Sequence, residues 1–525
     1  MATEQHYDAI VVGSGVGGLT AALTAARRGQ RVLVLEAAQQ FGGYINPFSR
    51  KRFIFDTGLH YVGEAFEGGG MTKVLDDLQL HVPFQELNPE GFDWYVFPEY
   101  SVKLGRGIDR FRDQLRGDFP SEERGIDRFF KMLTGVDRAF DEVDAGKGIR
   151  GAFATIGHAW RLLRWRKITL AQMLDRYFRD PLLKAALSGP CGDLGLPPSR
   201  LSALYHMAVM THYLGGGFYP VGGSGALRDA LVNGLIDEGA ELKRNAKVKR
   251  ITKQARRVTG VETEDGAHYA APCVISNADA VQTFRLAGLD EKRKWKKKIE
   301  RMEPSISSVV VYLGVKGDLA GNSVGDGNVW HFGTSDIDAI YRRLESGALP
   351  NSDSMFITVP TQKDPSGKKA PAGHHTVEIV ALSSAKPFRD FFDGRSMKRC
   401  AAYRALKEEI AGPLIETAER YIPDLRQNIV LKEISTPATN KHFTTQQDGS
   451  IYGPAHTPKQ VLFGRFSPKA PLRGLFLCGA SVIAGGVYPS MKSGAQAGQL
   501  ANEAFGVREK ASQTVTEALP AAAKG

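Results

Sequence analysis

The chain has 525 residues, 42% hydrophobic and 24% charged, with a formal charge of +11. That length and balance fit a globular protein of two domains or more. Its four cysteines, Cys191, Cys273, Cys400 and Cys478, lie far apart without a C-x-x-C pair, which excludes a disulfide framework and a cysteine-based metal site and points to a reducing compartment.

Residues 9–12, Ala-Ile-Val-Val, read as a buried parallel strand. Gly13-x-Gly15-x-x-Gly18 follows and opens a helix over 19–28, which Gly29 ends. Residues 31–36 are the second strand, closing on Glu36, with Gly42-Gly43 just beyond. In this order each residue has a physical task. Gly13 permits a tight turn, Gly15 lets a pyrophosphate approach the backbone, and Gly18 lets the helix pack against the strand. The helix N-terminus presents N–H groups to the anion. Glu36 is placed to accept adenosine ribose hydroxyls, and its charge disfavours a 2′-phosphate. The alternative is a glycine-rich turn that binds nothing.

Residues 66–214 are rich in aromatics and amphipathic helices. Between Asp144 and Asp175 there is no acidic residue, while Lys147, Arg150, Arg161, Arg164, Arg166 and Lys167 alternate with Phe153, Trp160, Trp165, Ile156, Leu162 and Leu163. Such a stretch suits a helix lying in a membrane interface, or a solvated face. A second basic run, 292–298, has the same character. The expected partner of 147–167 is an anionic membrane surface, and no nucleic acid.

Nucleotide-binding signals return at 215–290. There the turn Tyr219-Pro220-Val-Gly222-Gly223 precedes a helix over 226–238, strands over 241–251 and 257–264, and a short strand at 274–276. Residues 306–315, 354–358 and 375–382 read as central strands, and 397–421 as a long helix kinked or broken at Gly412-Pro413. Residues 475–478 are a buried strand ending at Gly479. A glycine-rich turn over 484–489 and a small-residue helix over 490–505 follow, whose N-terminus is a dipole site for an anion or a polarised oxygen. Residues 506–525 read as a disordered tail. The fold class is therefore α/β. A Rossmann-like dinucleotide-binding domain is assembled from 1–65, 215–290 and 460–505. A mixed α+β substrate domain with a helical, membrane-facing cap comes from 66–214 and 291–459. No stretch of 18 apolar residues is present to span a membrane. The nucleotide strand begins near residue 7, leaving no room for a targeting segment, so the expected location is cytoplasmic and peripherally membrane-associated.

The N-terminal motif with Glu36 and Gly42-Gly43, the run Phe55-Asp56-Thr57-Gly58-Leu59-His60-Tyr61, the Tyr219-Pro220 turn and the closing unit at Gly474–Gly479 occur in that order. Together they resemble the phytoene desaturase superfamily of flavoproteins. The His60-Tyr61 run and the stretch His212-Tyr213-Leu-Gly-Gly-Gly-Phe-Tyr219-Pro220 favour its retinol saturase and carotenoid isomerase branch. The resemblance spans about residues 7–505.

It implies FAD as cofactor, with Gly13, Gly15 and Gly18 on the pyrophosphate and Glu36 on the adenosine ribose. Gly42 and Gly43 would lie along the ribityl side, with Gly479 on the other phosphate or the ribityl chain. Val487 would sit near the flavin pyrimidine edge. Val248 either packs on the adenine or is a plain core valine. His60 and Tyr61 either carry a proton to or from the substrate or line the tunnel passively, and His212, Tyr213 and Tyr219 are candidate substrate contacts or packing groups.

The implied activity is FAD-dependent oxidoreduction, by desaturation, saturation or isomerisation, at carbon–carbon bonds of a long apolar lipid. That lipid is a carotenoid or other polyprenoid, or an unsaturated fatty acyl chain. The alternatives are a non-catalytic prenyl-lipid-binding protein and a flavin amine oxidase marked by two aromatic rings facing each other beside the flavin. A single dinucleotide fingerprint gives no NAD(P)H site, and the pattern names no electron acceptor or donor.

Overall fold

The computed structural model describes residues 5–145, 162–319, 321–393 and 400–505. The tail and most of the basic stretch 147–167 lie outside them.

Five short strands form a fully parallel sheet, in the spatial order Glu241–Lys243, Val32–Leu35, Ala9–Val12, Cys273–Ser276, Leu475–Leu477. Numbered along the chain, this is 3-2-1-4-5, the doubly wound order with its switch point between the first and fourth strands. A ligand crevice opens there, at the strands' carboxyl ends. The central strands are buried throughout, as a sheet covered on both faces requires. The helix Val16–Ala26 connects the first two strands, and the helix Val487–Phe505 lies directly against it. A Cβ on Gly494 would stand 2.2 Å from the Gly17 carbonyl oxygen, so the two backbones meet without side chains between them. The small residues expected over 490–505 serve this contact.

A seven-stranded mixed sheet forms the second layer, in the order Ile429–Ser435, Ser307–Lys316, His374–Ser383, Ser354–Thr358, Asn328–Phe332, Asp93–Val96, Ser101–Leu104. All seven strands come from within 66–214 and 291–459. Helices including Glu123–Ala145 and Ala203–Leu214 cover one side, over a core that contains Phe129, Leu133, Met207, Trp330 and Phe356.

Four expectations need correction. The span 241–251 is not one strand. Glu241–Lys243 closes the parallel sheet, and Val248–Gln254 turns into a separate four-stranded sheet. The nucleotide-side core runs past residue 65, because Met71, Leu75, Leu78 and Val82 pack with Ala9, Leu19 and Val32. The helix Ala401–Ala418 passes through Gly412-Pro413 unbroken. Gly412 and Pro413 are exposed, and Ile410, Ala411, Leu414 and Ile415 anchor the other face. In the described part of the basic stretch, Trp165 and Leu162 turn into the core and cannot lie in a membrane interface.

Candidate active site

One cavity of about 1110 Å³ runs from the sheet's switch point into the layer above. That exceeds the ordinary range for small-ligand sites, about 300–1,000 Å³. Its lower half is lined by Gly13, Gly15, Glu36, Gly42, Gly43, Val248, Asn277, Gly479 and Val487. The sequence-predicted cofactor residues, from Gly13 to Val487, thus converge on one wall; Gly18 alone stands behind it. A Cβ on Gly18 would meet the Gly13 carbonyl oxygen at 2.1 Å, so Gly18 allows the helix to approach the turn. Gly42 pairs with Gly15 in a bridge, and Gly42 N–H donates to Ser14 O at 3.1 Å.

Glu36 also holds the turn it faces. Its Oε2 accepts from Ser14 N–H at 2.8 Å and from the Ser14 hydroxyl at 2.5 Å, and its Oε1 accepts from Ala38 N–H at 2.8 Å. One lone-pair direction of the carboxylate, on Oε1, remains for a ribose hydroxyl. Gly479 does not offer its N–H to a phosphate, because Ser493 Oγ accepts it at 2.8 Å; its φ of +80° sets the turn instead. A glycine cradle at a helix N-terminus, a carboxylate at the end of the second strand and an apolar seat at Ala246 and Val248 fit a dinucleotide.

The upper half is aromatic, with Tyr61, Tyr205, Tyr213, Trp330, Phe332, Tyr341 and Phe356. His60 and Tyr61 sit where the two halves meet. Asp56, earlier in the same run, anchors it to the fold. It is fully buried and accepts from Ser224 N–H at 3.0 Å, Ser224 Oγ–H at 2.6 Å and the Tyr219 hydroxyl, and it pairs with Lys369 Nζ at 2.7 Å. Burial alone pushes this carboxyl up, but Lys369 and the three donors outweigh it and hold Asp56 below its ordinary range. Tyr219 is therefore a buried partner of Asp56 and stands outside the cavity lining.

His60 Nδ1 lies 2.9 Å from the buried Glu378 Oε2, without hydrogen-bond alignment, while Glu378 Oε1 accepts Asp56 N–H at 2.9 Å. His212 accepts Gly63 N–H on Nε2 at 3.0 Å, and its ring lies parallel to that of Tyr488, 5.6 Å away. Burial lowers His212 to about 4, so at neutral pH it is an uncharged acceptor.

Tyr61 is the hub of a polar chain that sequence reasoning missed. Its hydroxyl donates to Asp93 Oδ2 at 2.8 Å and stands 3.4 Å from Asp193 Oδ2. Asp93 Oδ1 accepts from Asn328 Nδ2 at 2.8 Å, and Asn328 Oδ1 accepts from the buried Lys363 Nζ. Lys363 also donates to the His60 carbonyl at 3.2 Å. Asp93 is thus supplied with donors on both oxygens. Burial raises it to about 6, against those hydrogen bonds. Asp193 lines the cavity and has no such set. Burial, then the Asp93 charge, push it well above the carboxylate range, with Tyr61 opposing. Of this carboxyl pair, Asp193 is thus the member beside the cavity whose protonated form burial favours. Lys363 is lowered to about 7 by burial, against the attraction of Asp93 and Glu378. Tyr213 stacks on Tyr61 with centroids 4.8 Å apart and 23° between planes. These rings touch one another and leave no slot between them for a substrate.

The family model for flavin-containing amine oxidoreductases matches residues 16–502. The chain belongs to that family. It is an FAD-dependent oxidoreductase. Prolycopene isomerase 1, chloroplastic, of an Oncidium hybrid cultivar is 30% identical over 97% of this chain and 86% of its own. The all-trans-retinol 13,14-reductase of Danio rerio is 26% identical over 91% of this chain and 83% of its own. A crystal structure of an oxidoreductase from Methanosarcina mazei superposes with a TM-score of 0.63 at 16% identity, covering 94% of this chain and all of that one. No helix among the described residues is long and apolar enough to cross a membrane.

Proposed function

We propose that the enzyme acts on a carbon–carbon double bond of a long polyprenoid, saturating or isomerising it with a proton held by the protein. The observation that carries this reading is the junction of the cavity. There the dinucleotide wall meets an aromatic bore, and the carboxyl of Asp193, on the cavity wall, stands 3.4 Å from the Tyr61 hydroxyl. The names of two relatives, an isomerase of prolycopene and a reductase of retinol, agree with an extended polyene in that bore.

FAD, when bound, supplies hydride-level redox chemistry. The protein's residues do the rest. The aromatic walls exclude water and hold a rod-like apolar chain in register. Burial favours the protonated form of Asp193, which is placed to give its proton to a polyene carbon. Tyr61, bonded to Asp93, lies between the two carboxyls and can pass a proton back as Asp193 is restored. A neutral carboxyl is an acid and not a base. This favours protonation of a double bond over the proton abstraction that desaturation requires.

The test is anaerobic incubation of the FAD-loaded protein with polyene lipids, with and without chemical reduction of the flavin, followed by mass spectrometry and double-bond analysis of the extract. The expected product has gained two hydrogens, or has kept its mass with altered double-bond geometry. A product that has lost two hydrogens, or no product from any polyene, overturns the reading.

A further inference from the structure

Large apolar side chains are exposed at only five places among the described residues: Ile236, Val430, Phe443, Leu462 and Phe463. Three of them, Phe443 at 64%, Leu462 at 46% and Phe463 at 80%, line the same cavity as the nucleotide cradle. Residues that both line a cavity and stand in solvent mark its mouth. Solvated rings of this size are costly unless they have a use.

The mouth is held in this form from below. Leu462 adopts φ +49°, uncommon for a residue other than glycine. Beneath it Arg465 is buried and donates to Pro454 O at 3.1 Å and Ala480 O at 3.0 Å. The rim is also basic. The Arg166 guanidinium lies 5.9 Å from the Phe463 ring centroid, and Lys298 and Lys469 line the cavity. Trp295 lines it too, on the helix Arg293–Glu300. On and beside that helix Lys292, Arg293, Lys294, Lys296 and Lys297 are exposed, against the exposed carboxylates Glu291 and Glu300.

We propose that this mouth seats on an anionic lipid bilayer, with Phe443, Leu462 and Phe463 inserted among the acyl chains and the Arg293–Glu300 helix on the headgroups. The apolar substrate then passes from the membrane into the cavity without crossing water. Apolar residues ringed by Lys and Arg match the interface of such a bilayer. The proposal rests on the polyprenoid reading for its purpose, but its test does not require turnover.

The test is co-sedimentation of the FAD-loaded full chain with phosphatidylcholine vesicles, with and without phosphatidylglycerol. Binding is expected to the anionic vesicles and to weaken with salt. The pair Leu462→Ser and Phe463→Ser is expected to lower it at least roughly tenfold. Lys294→Gln and Lys297→Gln are each expected to lower it on the order of fivefold. Retained flavin absorbance shows that each variant is folded. Absence of binding by the parent protein, equal binding to neutral vesicles, or variants that bind like the parent overturn the proposal. If binding behaves as expected while no polyene reacts, the substrate reading fails and the docking surface stands; the reverse pattern refutes the docking surface alone.

Discussion

Replacing Asp193 by Asn probes the proposed chemistry most directly. Asn keeps the shape of the side chain and removes its transferable proton. General acid catalysis contributes about 10²- to 10⁴-fold, or about 3–5 kcal/mol of barrier, so kcat/KM for the polyene is expected to fall by that factor. The pH dependence has a definite sign. The active form is protonated, so the parent rate is flat at low pH and declines tenfold per unit above the raised pKa of Asp193. Tyr61 opposes that rise by bonding the ionised form. Tyr61→Phe, which keeps the ring stack, is therefore expected to move the alkaline limb further up. Stability obeys the same linkage. A carboxyl raised in the folded state contributes stability at low pH that is lost as pH climbs from its unfolded value, about 3.9, through the folded one. Asp193→Asn removes that loss, so the variant's urea midpoint is expected to vary less between acid and alkaline pH while its activity collapses. The assay is kcat/KM against pH for parent and both variants, beside urea unfolding. A variant within threefold of the parent, or a parent rate that climbs with pH, refutes the assignment.

Three further outcomes follow from the geometry. Glu36→Gln weakens the hold on Ser14 and on the ribose, and is expected to lower FAD affinity about tenfold, read by flavin titration; unchanged affinity would place the adenosine elsewhere. Gly494→Ala drives a Cβ into the Gly17 carbonyl and is expected to cost about 1–3 kcal/mol and part of the flavin content, measured by urea unfolding and absorbance. Asp56→Asn leaves Lys369 buried without its counter-charge and is expected to destabilise by about 3–5 kcal/mol at neutral pH. Because the parent Asp56 is held below its ordinary range, its contribution is present above about pH 4 and lost as pH falls, so the gap between parent and variant in urea midpoint narrows in acid.

What the sequence made legible follows the range of the forces involved. The turn Gly13–Gly18, Glu36 and Gly42-Gly43 perform local tasks within one strand-turn-helix unit, so their order alone identifies the cradle. The parallel strands at Ala9–Val12, Cys273–Ser276 and Leu475–Leu477 are likewise marked by their short, fully buried apolar runs. The span 241–251 misled because alternation persists across Lys243 and Val248 although the chain changes sheets between them. The proton-handling chain was opaque for the opposite reason. Asp93, Asp193, Asn328 and Lys363 come from four separate segments and have no spacing to read. One signal was present. Asp93 and Tyr95 share the buried face of the strand Asp93–Val96, whose neighbours Trp94 and Val96 are only partly covered. A carboxylate at an inward position of a strand must be satisfied from elsewhere in the fold. Tyr61, singled out only by its place after Asp56-Thr57-Gly58, is the group that meets that need. The local motif and the distant acid are thus two ends of one requirement, and the cavity wall between them is where the chemistry is expected.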